Sequence, residues 1–155
     1  MAVVRWVRDV RSGMIHRILV PMDDSDHAGQ ALAYALENYP DAEVTVLHVV
    51  GVPSMMMGEA ASLALADDFD AAAEERAEGV FERARELAAD RDREVETVVG
   101  VGHPARDIVD RAEKYDTVVI GAHGADRGRA TRRFLVGNVA ETVSKRAPVA
   151  VVLVR

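Results

Sequence analysis

The chain has 155 residues, a length that suits one domain built around one core. Its formal net charge of −7 at pH 7 excludes a general nucleic-acid or anionic-membrane surface, since both need a basic face. With no cysteine there is neither a disulfide framework nor a thiolate metal site, and no run approaches the roughly 18–20 apolar residues of a membrane span.

Of the 19 basic residues only Lys114 and Lys145 are lysines. An acidic, lysine-poor surface fits a high-salt cytoplasm and GC-rich coding equally well. Residues 1–13 (MAVVRWVRDVRSG) are basic while the rest is acidic, and they lack the apolar stretch and small-residue cleavage site of a secretory signal. We expect residues 1–14 to be a disordered or loosely held N-terminal arm, or to lie upstream of a true start at Met14. Residues 15–155 are then one domain, cytoplasmic in location.

Strand-like and helix-like runs alternate from there. The first strand is expected over Arg17–Met22 (RILVPM), followed by a helix from His27 to Tyr39. The second is Val44–Val50 (VTVLHVV), which leads into an irregular stretch carrying Pro53 and Met55–Met57. A long helix over Ala71–Asp90 follows, its Ala73, Ala77, Phe81, Ala84 and Leu87/Ala88 recurring at three and four to make one apolar stripe. Val95–Val99 reads as the third strand, and Pro104 suits the first turn of a helix ending near Tyr115. Thr117–Ile120 is the fourth strand. A glycine-rich loop, a helix over Gly137–Arg146 and a last strand, Val149–Val154, complete the chain. Near-continuous Val/Ile/Leu runs mark strands buried on both faces. The fold class is therefore α/β: a doubly wound, Rossmann-like sheet of five parallel strands with helices on both faces.

In such sheets ligands bind beyond the carboxyl ends of the strands, where the winding reverses. After the first strand come Asp23, Asp24, Ser25 and Asp26. Asp24 or Ser25 is expected to cap the following helix, while Asp23 precedes the cap at the strand tip, where a carboxylate can face a ligand. After the fourth strand, Gly121 and Gly124 allow a tight turn and close backbone approach, a weak signal alone. Gly137-Asn138 precedes a helix whose amino end is an anion site in principle, or simply a helix start capped by Asn138. Arg127, Arg129, Arg132 and Arg133 lie between, suited to phosphate or equally to solvent. His103 and His123 have no obvious carboxylate partner and read as structural or solvent-facing. The methionine triplet reads as a gap-filling cover.

These pieces resemble one family, the universal stress proteins. The resemblance runs from Ile15 to Val154 and is carried by ILVPMDDSDHAGQALAYAL, VTVLHVV, GHPARDIVDRAEKYDTVVIGAHG and FLVGNVAETVSKRAPVAVVLV. It implies a five-stranded parallel sheet of the adenine-nucleotide alpha-hydrolase-like kind, with the nucleotide at the switch between first and fourth strands. Carried over by position, it puts Asp23 against the adenine or ribose, flanked by Pro21 and Met22, with Val49 near the base. Ile120, at the end of the fourth strand, is counted among the nucleotide-binding residues, and Gly121, Gly124, Gly137, Asn138 and Val139 wrap the ribose and phosphates. It also implies a two-fold homodimer joined through Val149–Val154, an apolar strand whose edge would otherwise stand open. Two departures stand out. Twelve residues separate Gly124 from Gly137 where the family's ATP motif has nine, and Asn138 takes the place of a hydroxyl residue.

Three functions follow. The first is a stress-response or regulatory module that binds ATP or a related adenine nucleotide, with Mg²⁺ arriving on the nucleotide where it is used. Without a Walker-type lysine, paired carboxylates or a nucleophile–base pair, it is expected not to be an enzyme, or at most a slow ATP hydrolase. The second is a member that no longer binds nucleotide and acts as a protein-interaction dimer. A phosphate-accepting receiver, the third, needs an aspartate ending the third strand and a lysine ending the fifth. Here those positions hold Val99-Gly100-Val101-Gly102 and Val154-Arg155, so this reading falls.

Overall fold

The computed structural model describes residues 3–5, 14–51, 66–123 and 137–155. Among these, the strands are β1 (Val3–Arg5), β2 (Arg17–Pro21), β3 (Glu43–Val50), β4 (Glu96–Val101), β5 (Thr117–Gly121) and β6 (Ala150–Val154). The helices are α1 (Asp26–Asn38), α2 (Ala66–Ala89), α3 (Pro104–Ala112) and α4 (Asn138–Arg146). The strands form one sheet in the order β1-β6-β5-β2-β3-β4. Pairs β2/β3, β3/β4, β2/β5 and β5/β6 are parallel, which gives the five-stranded parallel sheet expected from the sequence. β1 lies within the stretch read as an arm and pairs antiparallel with β6, Val4 opposite Val152.

The parallel strands feed two cores because their side chains alternate between faces. Ile18, Val20, Val44, Val46, Val119, Val152 and Val154 pack with α1 and α2 on one face. Leu19, Leu47, Val118, Ile120, Val151 and Leu153 pack with α3 and α4 on the other. A strand buried on both sides has no polar alternation to show, which is why these runs read as continuous hydrophobics.

The helices follow local chemistry. Ser25 is the N-cap of α1, its Oγ accepting from the Ala28 amide at 3.2 Å, as one of the two expected caps. The helix stops at Asn38 because Tyr39 precedes Pro40, whose ring disfavours helical backbone one residue earlier. Its last carbonyls are gathered by Arg93, which donates to Leu36 O at 2.9 Å, Tyr39 O at 3.3 Å and Ala42 O at 2.7 Å. In α2, Ala73, Ala77, Phe81, Ala84 and Ala88 are buried, so the periodic stripe is the core face. Alanine buries little area, and Phe81 supplies the large apolar contribution, on the order of 2–3 kcal/mol for a fully buried aromatic side chain.

Some boundaries differ from expectation. α2 begins at Ala66, not Ala71, because the apolar stripe starts only at Ala73 and the earlier turns carry no periodic signal. α3 ends at Ala112, and the chain turns through Glu113–Asp116 before β5. β4 runs on to Val101 because its backbone continues to pair with β3 as far as Val50, past the point where side-chain pattern fades. The methionine triplet lies outside the described residues. Within them, no helix is long and apolar enough to cross a membrane.

A crevice at the ends of β2 and β5

β2 and β5 are neighbours in the sheet, yet β2 leads to β3 on one side while β5 leads to β6 on the other. The connections therefore diverge at the carboxyl ends of these two strands and leave a crevice between them. Four segments close on it.

The first is the turn after β2. The Met22 amide donates to Leu47 O at 2.8 Å, and the Met22 carbonyl is 2.8 Å from His48 Nδ1, so β3 fixes the start of the turn. Pro21 and Met22 are buried and Asp23 is half-buried. The Asp23 carboxylate accepts from the Ser25 amide at 2.9 Å, which folds the aspartate back over its own turn. The second segment is the end of β3, where half-buried Val49 packs against the α3/α4 core.

The third is the end of β5. Ile120 and Gly121 are buried, and a Cβ on Gly121 would lie 2.8 Å from both the carbonyl carbon and oxygen of His27. The first turn of α1 thus rests directly on β5, and only glycine leaves it room. His123 follows, its ring 5.0 Å from that of His27 in an edge-to-face arrangement. Burial, then the neighbouring His27 and Arg155, hold the His123 imidazole below the usual histidine range. His27 Nδ1 is itself buried without a hydrogen-bond partner.

The fourth is the amino end of α4. The Gly137 amide donates to Ala122 O at 2.6 Å, and the Ala122 amide to Val154 O at 2.8 Å. These bonds tie the helix start to the ends of β5 and β6. Gly137 is the N-cap and offers no side-chain acceptor, so Asn138 is the first helical residue and not the cap expected from the sequence. The amides of the first turn point out of the helix at its positive dipole end, an anion-binding arrangement. Val139 packs against the α3/α4 core.

Pro21, Met22, Asp23, Val49, Ile120, Gly121, Gly137, Asn138 and Val139 therefore all stand at the carboxyl-end face of the sheet. Gly124 and the four loop arginines lie outside the described residues. The sequence reading missed His48, His27 and Ala122, each of which holds this crevice together. His27 had a signal in lying next to the α1 cap; Ala122 had none, since it acts only through its backbone. Among the described residues no cluster of three or more acidic or histidine side chains could hold a metal ion.

Fold and crevice together define a doubly wound α/β protein with an open crevice at its switch point. Residues 14–155 match the model of the universal stress protein family, and the chain belongs to that family. It is similar to Universal stress protein YxiE of Bacillus subtilis, 26% identical over 151 residues, covering 92% of this chain and 100% of that one. Among solved structures it is similar to universal stress protein UspA from Lactobacillus plantarum, with a TM-score of 0.75 and 27% identity, covering 93% of this chain and all of that one. It also shares its fold with an Archaeoglobus fulgidus universal stress protein solved in complex with dAMP, at a TM-score of 0.63 and 23% identity over 92% of this chain and 100% of that one.

Proposed function

We propose that the crevice binds ATP or a related adenine nucleotide and that the protein acts as a cytoplasmic stress-response or regulatory module. Asp23, with Pro21, Met22 and Val49, takes the adenine and ribose end. Gly121, Gly124, Gly137, Asn138 and Val139 take the ribose and phosphates. The observation that carries this reading is the Gly137–Ala122 hydrogen bond, which sets a helix amino end beside the β5 terminus and across the switch point from Asp23. An adenine nucleotide bound to a protein of the same fold supports the ligand class. The donors are backbone amides, so Mg²⁺ comes with the triphosphate and chemistry is at most slow hydrolysis.

The test is thermal unfolding with and without ATP and Mg²⁺. At a hundred times the dissociation constant the ligand adds about 2.7 kcal/mol. A clear upward shift in melting temperature, lost in Asp23→Ala, is the expected result; an unmoved wild-type melt overturns the reading. The longer Gly124–Gly137 loop and the absence of a capping hydroxyl favour a second reading, a member without nucleotide that acts as a protein-interaction dimer. The homodimer through β6 has a condition attached, because β1 lies along the edge that a partner strand would use. We take the self-associating form to be the one in which β1 has left that edge.

A further inference from the structure

Arg83, on α2, reaches across to the turn that carries Asp23. Its Nη1 donates to Asp24 O at 2.9 Å and to Ser25 O at 3.1 Å, and its Nη2 lies 3.4 Å from Asp26 Oδ1. The Asp24 carbonyl and the Ser25 amide are the two ends of one peptide unit. Arg83 holds the oxygen of that unit while Asp23 Oδ1 accepts from its N–H at 2.9 Å. A guanidinium at one end of a peptide polarises the hydrogen bond made at the other.

A second observation bears on the same contact. Gly29 lies inside α1 and is buried, a place where glycine costs roughly 0.5–1 kcal/mol against alanine. A Cβ there would stand 2.9 Å from Arg83 Nη2 and 3.4 Å from its Cζ. The helix gives up propensity at the spot where the guanidinium passes.

We infer that Arg83, admitted by Gly29, is a positioning residue for the Asp23 carboxylate, acting through the Asp24–Ser25 peptide. The consequence for ligand binding rests on the nucleotide reading above; the positioning itself does not. Lysine cannot replace arginine fully, since a single ammonium lacks the planar fork that serves several oxygens at once.

The experiment uses the full chain in three variants: Arg83→Met, Arg83→Lys and Gly29→Ala. Two measurements are made on each, hydrogen exchange of the Ser25 amide by NMR and calorimetric titration with ATP. Ser25 exchange should quicken about tenfold in Arg83→Met and by less in Arg83→Lys and Gly29→Ala, where the cation shifts without being removed, with ATP affinity falling in the same order. Gly29→Ala is the decisive variant, because it should keep or raise the melting temperature while weakening the Ser25 hydrogen bond. A purely structural role for Arg83 predicts stability changes with Ser25 exchange unmoved. Ser25 exchange at the wild-type rate in both Arg83→Met and Gly29→Ala overturns the positioning role, whatever ATP does. Altered Ser25 exchange in the variants together with no ATP binding by the wild type keeps the positioning role and overturns the nucleotide reading alone.

Discussion

At the scale of single residues, the crevice is built from close approaches that leave no room for substitution. Gly121 is the sharpest case. The atom that a Cβ would strike is main chain in the first turn of α1, and main chain cannot swing aside as a flexible side chain can. Gly121→Ala should therefore cost about 2–3 kcal/mol, at the upper end for an overpacked site, and should weaken nucleotide binding by lifting α1 off β5. Urea unfolding of the variant checks the first effect and ATP titration the second. His123 gives a pH dependence. Its pKa is lowered in the folded state by burial and by His27 and Arg155, so the unfolded chain takes up the proton first as pH falls. Its contribution is fully present above the ordinary histidine pKa near 6.5 and is lost as pH falls from there through the lowered folded value. Denaturant midpoints between about pH 7 and 5 should fall with acidification, and His123→Asn should flatten that slope.

At the scale of elements, arginine does work that capping residues often do. α1 ends without a glycine cap, and Arg93 from beyond α2 binds three carbonyls around its last turn and the following bend. At the other end of the same helix, where Ser25 is the cap, Arg83 donates to Asp24 O and Ser25 O and so ties the capping turn to α2. α1 is thus held at both ends by side chains attached to the α2 segment, and the two helices share one core under the sheet. Arg93→Ala leaves those part-buried carbonyls without a charged donor and should destabilise the protein by about 2–3 kcal/mol. Thermal and urea unfolding measure this. Arg91→Ala, which removes an ion pair to Glu37 with side chains 28% and 58% exposed, should cost less than about 1 kcal/mol and serves as the comparison.

At the scale of the whole molecule, the sheet is asymmetric at its two edges. β4 ends one side, with Val101 49% exposed, and β1 covers the other. β1 precedes the family-matched residues, so it adds to the shared domain at its most apolar strand. Consecutive strand residues point their amides to opposite sides, so prolines at both Val3 and Val4 must remove whichever ladder bond faces β6. In the intact chain, analytical ultracentrifugation at micromolar concentration should give a monomer mass. Val3→Pro with Val4→Pro should move it toward a dimer, with β6 amides protected from exchange only at high concentration. A variant that stays monomeric at every concentration counts against association through β6.

The sequence alone determined the alternation of strands and helices, because burial on both faces leaves unbroken Val/Ile/Leu runs and a helix facing a sheet must show an apolar stripe. It also placed Asp23 and Gly121 at strand ends and Gly137 at a helix start, since glycine and short polar residues mark where a chain turns. It did not contain the partners across the fold. That Gly121 answers to His27, that Gly29 makes space for Arg83, and that Gly137 rather than Asn138 caps α4 became legible only when distant segments met. The same holds for β1, whose short, basic stretch carries no pattern of its own and is a strand because β6 offers it a ladder. Periodicity records which face of an element meets the core. Which residue stands opposite it is set by sheet order and register, and these are properties of the folded chain.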